Sequence, residues 1–206
     1  MSYIDITKTL SESMNVWPGD SPFSYKSTMS ITNGDSVNVG KIEMSTHTGT
    51  HLDAPYHYDK SGQKIDEIPI DAVCGECLVV DAVGVDWIDE SIVENLNLNG
   101  VKKILFKTTV NKEGHSYENF PIFSENVPRI LKQMGVGLIG TDAPSVDPLT
   151  SKELLAHHAF RVEGIYILEG VDLSDVVPNI YELIALPLKL KDGDGSPLRA
   201  VLKEIK

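Results

Sequence analysis

The sequence predicts an α/β fold with an antiparallel contribution at its C-terminal end. Three observations carry this expectation. Short apolar and β-branched runs alternate along the chain with segments of helical pattern. The last two such runs are separated only by a turn-rich stretch, as in an antiparallel pair. The 206 residues, 41% of them hydrophobic, contain no composition break, internal repeat or low-complexity tract, so residues 1–206 are read as one domain.

The elements follow in order. Residues 4–10 read as a short first strand, and residues 11–23 as a loop broken by Pro18, Gly19 and Pro22. Residues 37–45 read as a strand. Residues 77–85, with Leu78, Val79, Val80 and Val83, have the composition of a buried strand. Residues 89–96 read as a helix capped by Asp89, and 102–108 return to strand. Residues 109–123, with Gly114, three aromatics and Pro121, read as a long loop that either covers a site or merely connects. A helix over 124–134 starts at Ser124 and stops before Gly135. A short buried strand over 136–139 follows, then a helix over 151–158 opened by Ser151 and Glu153. A strand over 164–168 comes next. Strands 182–190 and 198–205 pair across the turn-rich residues 192–197.

Charge and composition exclude several classes. Lys and Arg number 18 against 30 Asp and Glu, for a net charge of −12 at pH 7. Polyanion binding needs a positive footprint, so neither nucleic acid nor an anionic membrane is an expected partner. The N-terminal residues lack the basic start and apolar stretch of a signal peptide, and no run approaches the ~18 apolar residues of a membrane span. Two cysteines make no disulfide framework. The expectation is a soluble, cytoplasmic protein.

Two motifs are decoys. Gly135-Val136-Gly137-Leu138-Ile139-Gly140 matches the dinucleotide fingerprint, but here a helix precedes the glycines and a strand fills them, the reverse of what phosphate binding requires. Gly135 is better explained as a helix C-terminal glycine. Cys74-Gly75-Glu76-Cys77 leads into a strand, and no second ligand pair stands at zinc-finger spacing.

The chemistry concentrates in Ser45-Thr46-His47-Thr48-Gly49-Thr50-His51-Leu52-Asp53-Ala54-Pro55-Tyr56-His57, which holds half of the six histidines. His47, His51, Asp53 and His57 share one parity, so on a strand they converge on one face. On a helix Asp53 would stand about 240° from His47, and Pro55 opposes a helix. Gly49 on the same face leaves room for an ion. Imidazoles and a carboxylate on one face suit a divalent metal; the competing account is a polar strand with solvated histidines. A second cluster, His157 and His158 at a helix end and Glu169 at the tip of a buried strand, offers further ligands.

The segment from His47 to His57 resembles the H-x-G-T-H-x-D-x-P-x-H signature of the metal-dependent cyclase-like hydrolases, and within them it is most similar to the bacterial kynurenine formamidases. Further blocks resemble family segments in order: residues 16–20, 36–40, 141–148, 156–158, 167–169 and 181–188. The resemblance implies a cyclase-like swivelling β/β/α fold around a partly closed mixed β-barrel flanked by helices, a homodimer, and two divalent ions per chain, zinc by expectation. It implies His47, His51 and Asp53 as ligands of one ion, with Asp53 bridging to the second. His157 and a shared Glu169 complete the set, and the twelve-residue spacing to Glu169 favours His157 over His158. His57 matches the catalytic acid/base and Trp17 an aromatic that contacts the substrate. The implied reaction is hydrolysis of an N-formyl arylamine, N-formyl-L-kynurenine, in tryptophan degradation. Two charges from Asp53 and Glu169 leave half of the +4 of two ions unneutralised, which lowers the pKa of a bound water toward ~7. Alternatives are a related hydrolase acting on a cyclic amide or lactone such as isatin, and a noncatalytic metal- or ligand-binding protein.

Overall fold

Four apolar runs of the chain become the parallel centre of one nine-stranded sheet. The computed structural model of the chain describes residues 2–205. Its strands are β1 (Tyr3–Asp5), β2 (Ser24–Met29), β3 (Val39–Glu43), β4 (His51–Asp53), β5 (Cys74–Asp81), β6 (Trp87–Ile88) and β7 (Lys103–Lys107). They continue as β8 (Ile122–Phe123), β9 (Leu138–Thr141), β10 (Tyr166–Glu169), β11 (Ile180–Ile184), β12 (Gly195–Pro197) and β13 (Val201–Glu204). The helices are α1 (Ile70–Val73), α2 (Glu90–Val93), α3 (Val127–Gln133) and α4 (Leu155–Glu163).

The large sheet runs β1-β13-β11-β5-β7-β9-β10-β4-β12. Its centre, β5-β7-β9-β10, is parallel. On one side β11, β13 and β1 add on antiparallel; on the other, β4 and β12 do the same. The sheet curls until the residues after β1 reach the far side. Ile6 N–H donates to Ala200 O (3.0 Å), Asp172 N–H donates to Ile6 O (2.8 Å), and Thr7 forms a bridge with Val171. This is the partly closed mixed barrel with flanking helices that the sequence implied.

Strand alternation divides the core in two. Leu105, Leu138 and Leu168 point into the barrel with Ile6, Leu52, Cys77 and Leu183. Their neighbours Ile104, Phe106, Ile139 and Ile167 point outward, under Val127 and Leu131 of α3 and Ala156 and Phe160 of α4. Burial on both faces is why these strands read as continuous apolar runs rather than as alternation. Gly140 serves this packing, since a Cβ there would stand 2.4 Å from Leu105 Cδ2. Gly135 ends α3 with φ +88°, and Val136 N–H closes back on Leu131 O (2.9 Å), the hydrogen bonding of a helix C-cap. Gly135 and Gly140 of the fingerprint are thus structural. Cys77 on β5 lies in the barrel core, and the half-buried Cys74 at the start of the strand packs against the same core.

Several boundaries depart from expectation. The first strand stops at Asp5, and the chain then crosses to Val171 instead of extending to residue 10. The strand expected over 77–85 runs Cys74–Asp81, displaced toward the N-terminus. The helix expected from Ser151 starts at Leu155 and runs on to Glu163, because its first-turn N–H groups are met by a different residue, described below. Strand β2 was not anticipated: its polar residues lie in an exposed hairpin with β3, where no buried face imposes alternation. The turn-rich residues 192–197 also yield a strand, β12, paired with β4. Among the described residues no helix is long and apolar enough to cross a membrane.

Candidate metal centre

The signature segment is not one strand. Only His51–Asp53 pair as β4, while residues 55–57 form a 3₁₀ turn begun by Pro55. The parity argument therefore holds for His51 and Asp53, which flank the buried Leu52. His47 arrives by the turn around Gly49 and His57 by the 3₁₀ turn. The role expected of Gly49 changes accordingly. It takes φ +69°, and a Cβ there would meet Leu10 and Met14 rather than an ion. It is needed for the turn that folds His47 back over β4.

The register of β4 on β10 sets Glu169 opposite His51 and Ile167 opposite Asp53. Asp53, 1% exposed, occupies the middle of the cluster. Its Oδ1 lies 2.9 Å from His47 Nδ1 and 3.3 Å from His51 Nε2. Its Oδ2 has no hydrogen-bond partner, with His157 Nε2 standing 3.5 Å off. Glu169 lies 3.4 Å from His51 Nε2 and 3.7 Å from His157 Nε2, and also accepts from Val146 N–H (3.0 Å). Donor atoms of His47, His51 and Asp53 fall within 4.8 Å of one another, as do those of Asp53, His157 and Glu169. These two groups share one carboxylate, Asp53, and a third group, His47, His57 and Asp194, meets the first at His47.

Each of the three imidazoles is oriented from behind. His51 Nδ1 donates to Gly49 O (3.0 Å) and His157 Nδ1 to Asp147 (2.7 Å), which turns both Nε2 atoms toward the carboxylates. For His47 the rear partner is Asp194, 3.3 Å from Nε2. Asp147 also accepts the N–H groups of Ala156 (3.1 Å) and His157 (3.0 Å), which caps α4 and moves its start past Ser151. His157 consequently sits in the first turn of the helix rather than at its end. It is buried in the cluster, whereas His158 is exposed.

The electrostatics have the form of a cation site. Burial pushes the His51 imidazole down, but hydrogen bonds and charge from Asp53 and Glu169 outweigh it and raise the pKa to about 10. The same contest, with Asp147 and Asp53 as the leading partners, lifts His157 to about 10. His47 rises to about 9 against its burial, through Asp194 and Asp53. Burial pushes Asp53 up, and the three histidines around it hold it well below the usual carboxylate range. A buried carboxylate oxygen with no partner, ringed by oriented imidazoles, fits a divalent ion with nitrogen and oxygen ligands. His57 differs. Its side chain is 35% exposed, its ring stacks over His47 at 3.8 Å between centroids, and burial together with neighbouring histidine charge pushes it down to about 4.

Trp17 lines a cavity of about 230 Å³ together with His47, His51, His57, His157 and Glu169. Tyr117 stands edge-on to Trp17 at 5.6 Å and donates to Asn15 O (3.2 Å), so the 109–123 segment forms part of this wall. Asp147 and Asp194 are the residues sequence reasoning missed. Asp147 lay within a block that resembled the family, without an assigned role. Asp194 lay in a stretch whose composition signals only turns. Gly195 was the available clue: a Cβ there would stand 2.6 Å from His47 Cε1.

The chain resembles known proteins over nearly its full length. The family model described as "Putative cyclase" matches residues 4–148. The chain is 45% identical over 204 residues to the kynurenine formamidase of Bacillus mycoides (strain KBAB4), covering 98% of both proteins. It superposes with a TM-score of 0.83 on a potential metal-dependent hydrolase with cyclase activity, 30% identical, covering 98% of this chain and 96% of the other. Isatin hydrolase A from Labrenzia aggregata, solved with benzyl benzoate bound, gives a TM-score of 0.81 at 25% identity, covering 98% and 93%.

Proposed function

The chain belongs to the cyclase family, and from that premise we propose that it hydrolyses N-formyl-L-kynurenine to L-kynurenine and formate in tryptophan degradation. The observation that carries this is the shared carboxylate, Asp53, at the junction of two ligand groups, in a chain 45% identical to a kynurenine formamidase. Its structural relatives include metal-dependent hydrolases. In our reading His47, His51 and Asp53 hold one divalent ion, and Asp53, His157 and Glu169 hold a second, zinc in both cases. Ions bound there would make a water more acidic and would polarise the scissile carbonyl.

The chain's own side chains do the rest. Trp17 offers its face to the flat arylamine, with Tyr117 bracing it. The cavity against Trp17 and the ligand histidines orients the formyl group toward Asp53 and Glu169. His57, held neutral at neutral pH by its surroundings, takes up a proton as the water oxygen attacks and delivers it to the departing nitrogen. Asp194, 3.9 Å from His57 Nδ1, is near enough to steady the imidazolium formed midway.

Residues 1–206 act as one domain in this proposal, supported by the pairing of β1 with β13 from opposite ends of the chain. The protein works in the cytoplasm as a homodimer. The β2–β3 hairpin supports the dimer: its cross-strand pairs Tyr25–Ile42 and Met29–Val39 are apolar and exposed, the composition of a surface a second copy covers. Sedimentation at micromolar concentration should give twice the chain mass, and Ile42→Lys should give monomer. A monomeric native protein would remove the dimer from the proposal.

The test of the reaction is an assay on N-formyl-L-kynurenine, isatin and a simple lactone, before chelation, after chelation, and after zinc add-back. The formamide should be the best substrate, and activity should vanish with the ions and return with zinc. Turnover of isatin without the formamide would transfer the assignment to the cyclic-amide reaction. Full activity after complete ion removal would eliminate the metal role.

A further inference from the structure

A second and larger cavity, about 560 Å³, opens on the other side of the ligand histidines. His47, His51, Tyr117 and Pro144 line both cavities, so the two spaces meet at the metal ligands. The larger one is polar, and besides the ligand histidines and Tyr117 its charged and titratable groups are Lys8, Lys112, Glu113, His115 and Asp172. Lys112 is committed to an ion pair with Asp175. His115 is hydrogen-bonded to Thr108 Oγ1 (2.7 Å). Lys8 is different. Its backbone N–H is tied to Thr50 Oγ1 (2.9 Å) in the signature segment, yet among the described residues its ammonium has no hydrogen bond or ion pair. The turn at Gly114 folds so closely over it that a Cβ there would lie 2.9 Å from Nζ.

The shape of the proposed substrate makes use of this arrangement. The formamido nitrogen and the ketone that starts the amino-acid tail are ortho on the ring. With the formyl group at Asp53 and Glu169 and the ring on Trp17, the tail must leave beside the metal ligands, where the second cavity begins. We propose that Lys8 anchors the carboxylate of this amino-acid tail, so that the enzyme selects formamides of amino acids over plain aryl formamides. The inference rests on the formamidase reading and adds the subsite that reads the tail. Burial pushes the Lys8 ammonium down while Asp142 and Asp172 pull it up without touching it, and an incoming carboxylate relieves that desolvation. Asp172 on the same wall suits the tail's ammonium.

The test is calorimetry on the zinc-loaded protein with L-kynurenine and with kynurenamine, which keeps the ring, ketone and amine but lacks the carboxylate. The native protein should bind L-kynurenine about tenfold to a hundredfold more tightly, the range of one charge-assisted hydrogen bond. Lys8→Gln should abolish that preference and Lys8→Arg should retain much of it. Equal binding of the two ligands by the native protein, no binding of L-kynurenine, or a preference surviving in Lys8→Gln would each overturn the proposal. The formamide assay is independent of this outcome. Carboxylate preference without formamide turnover removes the reaction and keeps the anchor; turnover without preference does the reverse.

Discussion

Replacing Asp53 by Asn is expected to lower ion affinity by about 3–5 kcal/mol, between a hundredfold and several thousandfold, and to take formamidase activity with it. The side chain keeps its size, so the barrel should fold. What changes is the charge at the junction of both ligand groups, in a site where His47, His51 and His157 all face that carboxylate. Zinc content per chain should fall for both proposed ions together, because the proposal gives them this residue in common. A thermal measurement adds a second reading: the native protein should gain about 2.7 kcal/mol at an ion concentration a hundred times its dissociation constant, and Asp53→Asn should gain far less. An Asp53→Asn protein with full zinc and full activity would refute the shared-carboxylate assignment.

The second large effect is confined to turnover. His57→Ala should reduce kcat by about 10²–10⁴-fold, the usual contribution of a positioned acid/base, with zinc content unchanged. The separation is expected because the proposed ions sit in the two buried groups centred on Asp53, whereas His57 belongs only to the more exposed group with His47 and Asp194. Its ring stacks on His47 and its Nδ1 faces Asp194, while its side chain opens to the cavity. Loss of zinc with loss of activity would make His57 a ligand or support. Unchanged kcat would leave the chain as a binder of metal and ligand rather than a catalyst of this reaction.

The legible and illegible parts of the molecule differ in how far apart in sequence the deciding contacts lie. Strands β7, β9 and β10 were readable because both of their faces are apolar and turn residues bound them. The capping of α2 by Asp89 was local, and it is present as Asp89 Oδ1 accepting from Ser91 N–H (3.0 Å). The site's residue types were readable in the signature, since three histidines and a carboxylate within so few positions have few other uses. Its backbone was not. A turn at Gly49 and a 3₁₀ turn at Pro55 do what a single strand was expected to do. Asp147 escaped notice because it caps a helix from outside that helix. Asp194 escaped because only the pairing of β12 with β4 brings it to His47, across 147 positions. The hairpin strand β2, with Tyr25 and Met29 exposed among polar residues, had no buried face to give a local signal.

The alternation in β4 bears on how the chain reaches its working form. His51, Leu52 and Asp53 are paired one-to-one with Glu169, Leu168 and Ile167, more than a hundred positions later. A slip of one residue would turn Leu52 toward the ligands and bury two polar side chains in the apolar barrel. Contacts so distant in sequence form late and slowly, and nothing in a short strand of three residues enforces the pairing by length. Ion ligation at the proposed centre would, because only the native alignment brings His51 and Glu169 to the same spot. The proposed metal centre would thereby also act as a proofreading device for folding, rewarding one alignment of two strands and withholding its stabilisation from every other.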